Sequence, residues 1–204
     1  MGFYQDRILP HLINLTMRNS DLVPYRARVI GQAEGRVLEV GIGSGLNLPF
    51  YGPQVGEIFG LEPSARLVAM AKRAAQESSP PVTFIEGSAE AIPLDGKSID
   101  TVVTTWTLCT IPEVMQALAE MRRVLKPGGQ ILFVEHGLAP EPNVRKWQDR
   151  VTPLWKRIGG GCHLNRPIQS LIENAGFGIT AIENCYLPKA PRMMGHLYEG
   201  RARP

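Results

Sequence analysis

The sequence predicts an α/β protein: a doubly wound, mostly parallel sheet with helices on both faces. Three observations carry this. Strand-like and helix-like stretches alternate along most of the chain. The strand-like runs, such as "RVLEVGI" and "QILFVEH", are short and densely apolar, as strands buried on both faces must be. The 204 residues are 44% hydrophobic and 20% charged, which suits one domain with a substantial core and not a disordered chain.

Two helical segments come first, roughly 3–17 and 22–32. "RVLEVGI" is the first strand and "EIFGLEP" the second. "SARLVAMAKRAAQE" follows as a helix, with Leu67, Met70, Ala71, Ala74 and Ala75 at helical spacing and Ser64 as N-cap. "VTFIEG" and "SIDTVVTTW" are the third and fourth strands. "PEVMQALAEMRRVL" puts Val114, Leu118, Met121 and Leu125 on one helical face; "KPGG" breaks it before the fifth strand, "QILFVEH". Residues 137–165 are irregular and rich in Pro and Gly, with a helical piece that sets Val144, Trp147, Val151 and Leu154 on one side. "NRPIQSLIENAGF" is another helix, with Asn165 as cap and Gly176 as stop. "GITAIENCYL" and "MMGHLYEG" close the sheet as sixth and seventh strands. The expected organisation is one domain, 1–204, with 1–33 as a helical cap and 137–165 as a lid.

Composition excludes several function classes. Lys and Arg total 22 against 19 Asp and Glu, so the net charge of +3 gives no footing for nucleic acid. Cys109, Cys162 and Cys185 are odd in number and form no CxxC, which argues against a disulfide framework or a structural zinc site. A reducing cytoplasm is the expected setting. The N-terminus lacks the basic and apolar regions of a signal peptide, and Asp6 stands where a myristoylation motif needs Ser or Thr. No apolar run reaches membrane-spanning length.

The first strand runs into Gly41, Gly43 and Gly45, more glycine than a tight turn requires. In a doubly wound sheet, ligands bind outside the carboxyl ends of the strands, where this loop sits. A triphosphate-binding loop would need GxxxxGK[ST], and no Lys follows. A dinucleotide fingerprint is GxGxxG, but here the third glycine comes one position early. Glu39, just before the loop, repels a pyrophosphate and favours a ligand bearing an ammonium or sulfonium group. Glu62 ends the second strand, placed to accept both hydroxyls of a ribose; an exposed acid at a helix start is the other reading.

"LEVGIGSGLN", "GLEPS", "IEGSAEAIP", "DTVVTTWTLCTI" and "LKPGGQILFVEH" resemble, in order, the motifs of class I S-adenosylmethionine-dependent methyltransferases, over about residues 36–136. The resemblance implies a Rossmann-like, seven-stranded sheet with an antiparallel last strand and S-adenosylmethionine across the tips of strands one to four. It implies that Gly41, Gly43 and Gly45, with Glu39 and Asn47, flank the methionyl part and ribose. Glu62 and Pro63 would hold the ribose, and Ser88, Ala89 and Glu90 would line the adenine. Thr105 would offer its backbone carbonyl to the cofactor's ammonium, while Asp100 supports the strand. Many relatives carry Asp where Ser88 stands. The stretches "NLPFYG", "TLCTI", "WQDRVTPLWKRIGGGCHLNRPI" and "GHLYEGRA" are similar to the methyltransferase-like group that includes alkyl thiol S-methyltransferases, with phospholipid and quinone methyltransferases as further relatives.

His136, at the end of the fifth strand, is the first candidate for a base or substrate contact; a capping histidine is the other reading. His163, beside Cys162 in "GGGCHLN", is the second candidate; an incidental Cys–His pair in a loop is the other reading. Cys109 reads as packing, and no metal-ligand spacing is present. Trp106, Trp147 and Trp155 with Phe3, Tyr4, Ile8 and Leu12 read either as core or as an apolar lid. The leading function is methyl transfer to a small, partly apolar acceptor, a thiol first. The alternatives are a phospholipid headgroup or quinone at a membrane surface, and a non-catalytic cofactor-binding protein. For the membrane reading, Arg145, Lys146, Arg150, Lys156 and Arg157 would form a basic interfacial helix; a solvated face is the other reading. Oligomeric state is open.

Overall fold

The computed structural model describes residues 2–78 and 80–204. The strands are β1 (Gly35–Val40), β2 (Val55–Glu62), β3 (Val82–Glu86), β4 (Ile99–Thr105), β5 (Leu125–His136), β6 (Gly178–Tyr186) and β7 (His196–Arg203). They form one sheet in the order β3-β2-β1-β4-β5-β7-β6. β1 to β5 are mutually parallel, and β7 inserts antiparallel between β5 and β6. The strand order reverses between β1 and β4, so the loops after those strands open a crevice at the carboxyl edge.

The helices are α1 (Leu9–Met17), α2 (Val23–Ile30), α3 (Ala65–Ala74), α4 (Val114–Val124), α5 (Pro142–Ile158), α6 (Ile168–Asn174) and α7 (Arg192–Gly195). The period-2 alternation of strand side chains splits the core in two. Leu38, Val102, Ile131 and Phe133 pack on one face with Ala117, Leu118 and Met121 of α4 and Ile168 and Ile172 of α6. Val37, Val103, Leu132 and Val134 pack on the other with Tyr25, Val29 and Ile30 of α2. The dense apolar runs in the sequence are these doubly covered strands.

Local signals land close to expectation. Ser64 Oγ accepts from Leu67 N at 3.4 Å and starts α3. Gly176, at φ +83°, follows the end of α6. Asp100 Oδ2 accepts from Arg36 N at 2.9 Å and its carboxylate holds Lys126, so it ties β1 to β5 as a support.

Four details differ. "KPGG" lies inside β5: the register jumps from Ile99↔Leu125 to Thr101↔Gln130, so these residues bulge out. Met193 and Met194 lie in the short α7, and β7 starts only at His196. Pro167, not Asn165, precedes α6, and Asn165 instead donates to Asp149 at 2.8 Å.

The fourth concerns α5. Its buried residues are Gln148 and Thr152, while Trp147 and Leu154 are 57% and 63% exposed. The apolar stripe read from the sequence is therefore largely outward. Gln148 replaces it as an anchor. Its Nε2 donates toward the carbonyls of Gly137 (3.0 Å) and Leu164 (2.8 Å), and its Oε1 accepts from Ala139 N at 3.0 Å. Gln148→Leu keeps the bulk and strands these backbone groups. The expected loss is about 2–3 kcal/mol, read as a lower midpoint at unchanged slope in urea unfolding.

Candidate functional site

The crevice is built from the turn after β1. Gly41, Gly43 and Gly45 have φ of +74°, +56° and +81°, a left-handed path that L side chains resist. Each glycine answers a different demand. A Cβ on Gly41 would lie 2.4 Å from Thr107 Oγ1, and one on Gly45 3.2 Å from Ala71 and Ala74 of α3. Those two permit close packing. A Cβ on Gly43 would meet only Gly41 O, at 3.9 Å, so this glycine leaves space open.

Glu62 faces that space. Its Oε2 accepts from Gly43 N at 3.1 Å and its Oε1 from Ser64 N at 3.0 Å. Burial raises its pKa, and these two backbone bonds oppose the rise. The structure thus brings together the glycine loop and Glu62, as the spacing suggests, with Pro63 exposed beside them.

Glu39 is different. It is 1% exposed, and its oxygens accept from Asn47 Nδ2 and Tyr51 OH, each at 2.7 Å. Asn47 Nδ2 also lies 2.9 Å from Thr105 Oγ1, and its Oδ1 accepts from the Arg26 guanidinium. Arg26, 5% exposed, donates to Met17 O at 3.1 Å and stacks over the Trp106 ring at 4.7 Å. The charge of Glu39 is thus turned inward, and its contribution is to hold Asn47 and the turn. Arg26 and Tyr51 are absent from the sequence-derived site. A signal for Arg26 existed: in "YRARVI" it shares the buried face of α2 with Tyr25, Val29 and Ile30.

Burial pushes the Glu39 carboxyl up to about 7, against the bonds from Tyr51 and Asn47 and the charge of Arg26. Burial also lowers Arg26 to about 10. A folded pKa above the unfolded value of 4.5 favours the folded state at low pH. That advantage falls away as pH rises from 4.5 through about 7, and is then constant. Glu39→Gln is therefore expected to flatten this part of the stability profile. The difference between the two proteins should change by on the order of 3 kcal/mol over that window and stay level above it, in urea unfolding at stepped pH.

At the far end of the crevice, after β3, Ser88 is exposed and its hydroxyl donates to the Glu90 carboxylate. Glu90 Oε1 accepts from Glu113 N at 3.1 Å. Ala89 packs into the core, so only its backbone is available to a ligand. The Thr105 carbonyl accepts from Thr107 Oγ1 at 3.0 Å and keeps a second lone pair. Trp106, directly after β4, has φ +50°, a strained value for an aromatic residue.

The carboxyl ends of β4 and β5 carry a cluster that the sequence does not announce. His136 Nε2 lies 3.2 Å from Cys162 Sγ. Cys109, His136 and Cys162 place their sulfur and nitrogen atoms within 4.8 Å of one another. Cys109 packs with Cys162 and Leu164, as its apolar surroundings in the sequence suggest, and this packing also sets both sulfurs beside His136. The Cys109 hydrogen bond and the His136 imidazole pull the Cys162 thiol down, while the bond to Cys162 and burial push the Cys109 thiol up. Burial works against a charged His136, but Cys162 outweighs it and raises that pKa. His163 lies outside the cluster as a side chain: burial lowers its pKa, and its backbone N–H donates to Cys109 O at 2.8 Å. Glu135 Oε1 accepts from Thr104 Oγ1 and Thr107 N at 2.8 and 3.0 Å, steadying the turn before Cys109.

The N-terminal helix lies against this region. Tyr4 OH donates to Ile158 O at 2.7 Å, and His11 Nε2 lies 2.9 Å from Arg66 at the start of α3. Of the apolar residues expected to face inward, Phe3 (74%), Ile8 (41%) and Leu12 (46%) are exposed; Trp155 packs beside Cys109 and Cys162.

Residues 38–133 match the family model described as "Methyltransferase domain". The chain is 34% identical over 171 residues to thiol S-methyltransferase TMT1B of Rattus norvegicus, covering 79% of this chain and 70% of that one. It is 30% identical over 169 residues to human thiol S-methyltransferase TMT1A, covering 79% and 68%. A shorter match, 34% over 104 residues, is to phosphatidylethanolamine N-methyltransferase of Cereibacter sphaeroides, covering 50% and 51%. Among solved structures, the YcgJ protein of Bacillus subtilis superposes with a TM-score of 0.66 at 25% identity, over 81% of this chain and 72% of that one. The open glycine turn facing a carboxylate, the sheet order and these similarities lead to one assignment: the chain belongs to the class I S-adenosylmethionine-dependent methyltransferases.

Proposed function

We propose that the enzyme methylates the sulfur of a small, partly apolar thiol at the His136 end of the crevice. The observation that carries this is the cluster of Cys109, His136 and Cys162 at the carboxyl ends of β4 and β5, where donor and acceptor must meet in this topology. Similarity over about four-fifths of the chain to proteins named thiol S-methyltransferases supports sulfur as the acceptor atom.

The residues fit S-adenosylmethionine. Among the described residues Glu62 is bonded to two backbone N–H groups, which leaves lone pairs for two ribose hydroxyls. Residues 36–52 contain no Lys for a pyrophosphate. Gly43 leaves the backbone open to close approach. In this reading Gly41, Gly45, Asn47 and Glu39 shape the turn, Pro63 flanks the ribose, and Ser88, Ala89 and Glu90 border the adenine. The carbonyl of Thr105 takes the ammonium. When bound, the cofactor supplies an electrophilic methyl group.

The chain's own residues align the acceptor and exclude water, and such positioning is worth roughly 7–11 kcal/mol in well-oriented reactions. An unperturbed thiol, pKa about 8.5, is only a few per cent ionised at neutral pH. His136 stands where it can favour the thiolate. The N-terminal helix, 1–33, and the insertion, 137–165, act as cap and lid of one domain, 1–204. Tyr4 on Ile158 O latches one to the other. We place the enzyme in the cytoplasm, where free cysteines such as Cys109, Cys162 and Cys185 stay reduced. Among the described residues no helix is long and apolar enough to cross a membrane.

The test is transfer of labelled methyl groups to a panel of alkyl thiols, phenols and amines. Thiols should be methylated with a kcat/KM at least about tenfold above the other acceptors, a difference of about 1.4 kcal/mol; preference for an amine or phenol would refute the thiol assignment. A membrane-facing second reading has one favouring observation. Trp147, Leu154 and Ile158 are all at least half exposed on α5, among Arg150, Lys156 and Arg157. Co-sedimentation with anionic vesicles, lost on Trp147→Ala, is its expected signature; no sedimentation removes it.

A further inference from the structure

Cys109, His136 and Cys162 come from three separated parts of the chain: the turn after β4, the last residue of β5, and the turn after α5. The backbone fixes their convergence. The bond from His163 N to Cys109 O, 2.8 Å, laces the segment carrying Cys162 to the one carrying Cys109. Gly161, at φ +88°, makes the turn into Cys162, a backbone path that L side chains resist. Both cysteines are free thiols.

We infer that Cys109, His136 and Cys162 bind one zinc ion, whose fourth ligand is the sulfur of the acceptor. The fourth-ligand assignment rests on the thiol reading above; the three-residue site does not. Two thiolates and an imidazole are a donor set suited to zinc. Zn–S near 2.3 Å and Zn–N near 2.0 Å give tetrahedral edges of about 3.5–3.8 Å. Side-chain adjustments of up to about 1 Å bring the observed separations, 3.2 Å for Cys162 to His136 and none above 4.8 Å, into that range. Three protein ligands leave one position open, the pattern of zinc sites that act on a substrate and not of closed structural ones. A simple thiol–imidazole pair would need one sulfur, whereas here a second one, that of the buried Cys109, lies within 4.8 Å of both partners. Cys162 and His136, each 9% exposed, keep one edge of the cluster within reach.

The step that follows is ligand exchange. The incoming thiol displaces a water from the ion; its S–H bond breaks, a Zn–S bond forms, and the proton leaves to solvent. No oxidant or reductant is involved. The ligated sulfur retains the lone pairs that a nucleophile needs, and is ionised at neutral pH without a strong base.

The test uses the whole chain, purified reduced, loaded with zinc or titrated with Co2+, and freed of unbound metal. One metal per chain is expected. The cobalt form should show sulfur charge-transfer and four-coordinate d–d bands that shift when a short alkyl thiol is added. Cys109→Ser and Cys162→Ser should each weaken binding at least about 100-fold, more than loss of an outer partner does, with circular dichroism unchanged. If either variant fails to fold, X-ray absorption on the unaltered protein decides, by finding two protein sulfurs and one nitrogen around the ion. Absence of metal uptake, or a Cys109–Cys162 disulfide in its place, overturns the site. Uptake with no spectral response to thiol overturns the fourth ligand. Thiol methylation at full rate by metal-free protein overturns the zinc step and leaves the thiol assignment standing, whereas metal uptake without any thiol methylation overturns the thiol assignment and the fourth ligand and leaves the three-residue site standing.

Discussion

Gly43→Val is expected to weaken S-adenosylmethionine binding by at least about 100-fold, or about 2.7 kcal/mol, in titration calorimetry. Two effects combine. The residue sits at φ +56°, and a β-branched side chain resists the left-handed region by roughly 1–2 kcal/mol or more. The new side chain also enters the open space beside Glu62, where only Gly41 O lies within 4 Å of a Cβ. Gly45→Ala discriminates between strain and obstruction. Its Cβ meets α3 at 3.2 Å and so should lower stability more than it lowers affinity in the surviving folded protein. Equal affinity losses at both positions would mean that the loop is merely a packed turn.

The largest stability effect is expected at Arg26. Arg26→Leu removes the guanidinium from Asn47 and Met17 O and leaves the buried Glu39 without its nearest counter-charge. Breaking a buried charged network from one side costs about 3–5 kcal/mol, which chemical denaturation at pH 8 would register directly. The loss should shrink in Arg26→Leu combined with Glu39→Gln, because no uncompensated carboxylate remains. Additive losses in the double variant would show that the two residues act separately.

The sheet was legible because its information is local. Alternating apolar runs mark β1 to β5, and caps such as Ser64 mark where helices start. The pairing of Gly43 with Glu62 was legible too, since the topology forces the ends of β1 and β2 together. Other features depend on packing that no spacing encodes. Arg26 required noticing a charge on the apolar face of α2. Gln148 anchors α5 by backbone hydrogen bonds, which leave no hydrophobic signature. Cys162 meets His136 across 26 residues that include the whole of α5, so neither carries a motif. The direction of Glu39 is not legible either: a carboxylate at a strand end can face the ligand or the core, and Asn47 and Tyr51 hold this one inward.

A crystal structure with S-adenosylhomocysteine bound tests the central claim most directly. The expected result has the ribose hydroxyls on Glu62, the backbone at Gly43 against the ligand, and its sulfur directed toward His136 and Cys162. A ligand whose ribose lies elsewhere, or whose sulfur faces away from that cluster, would contradict the placement of both cofactor and acceptor.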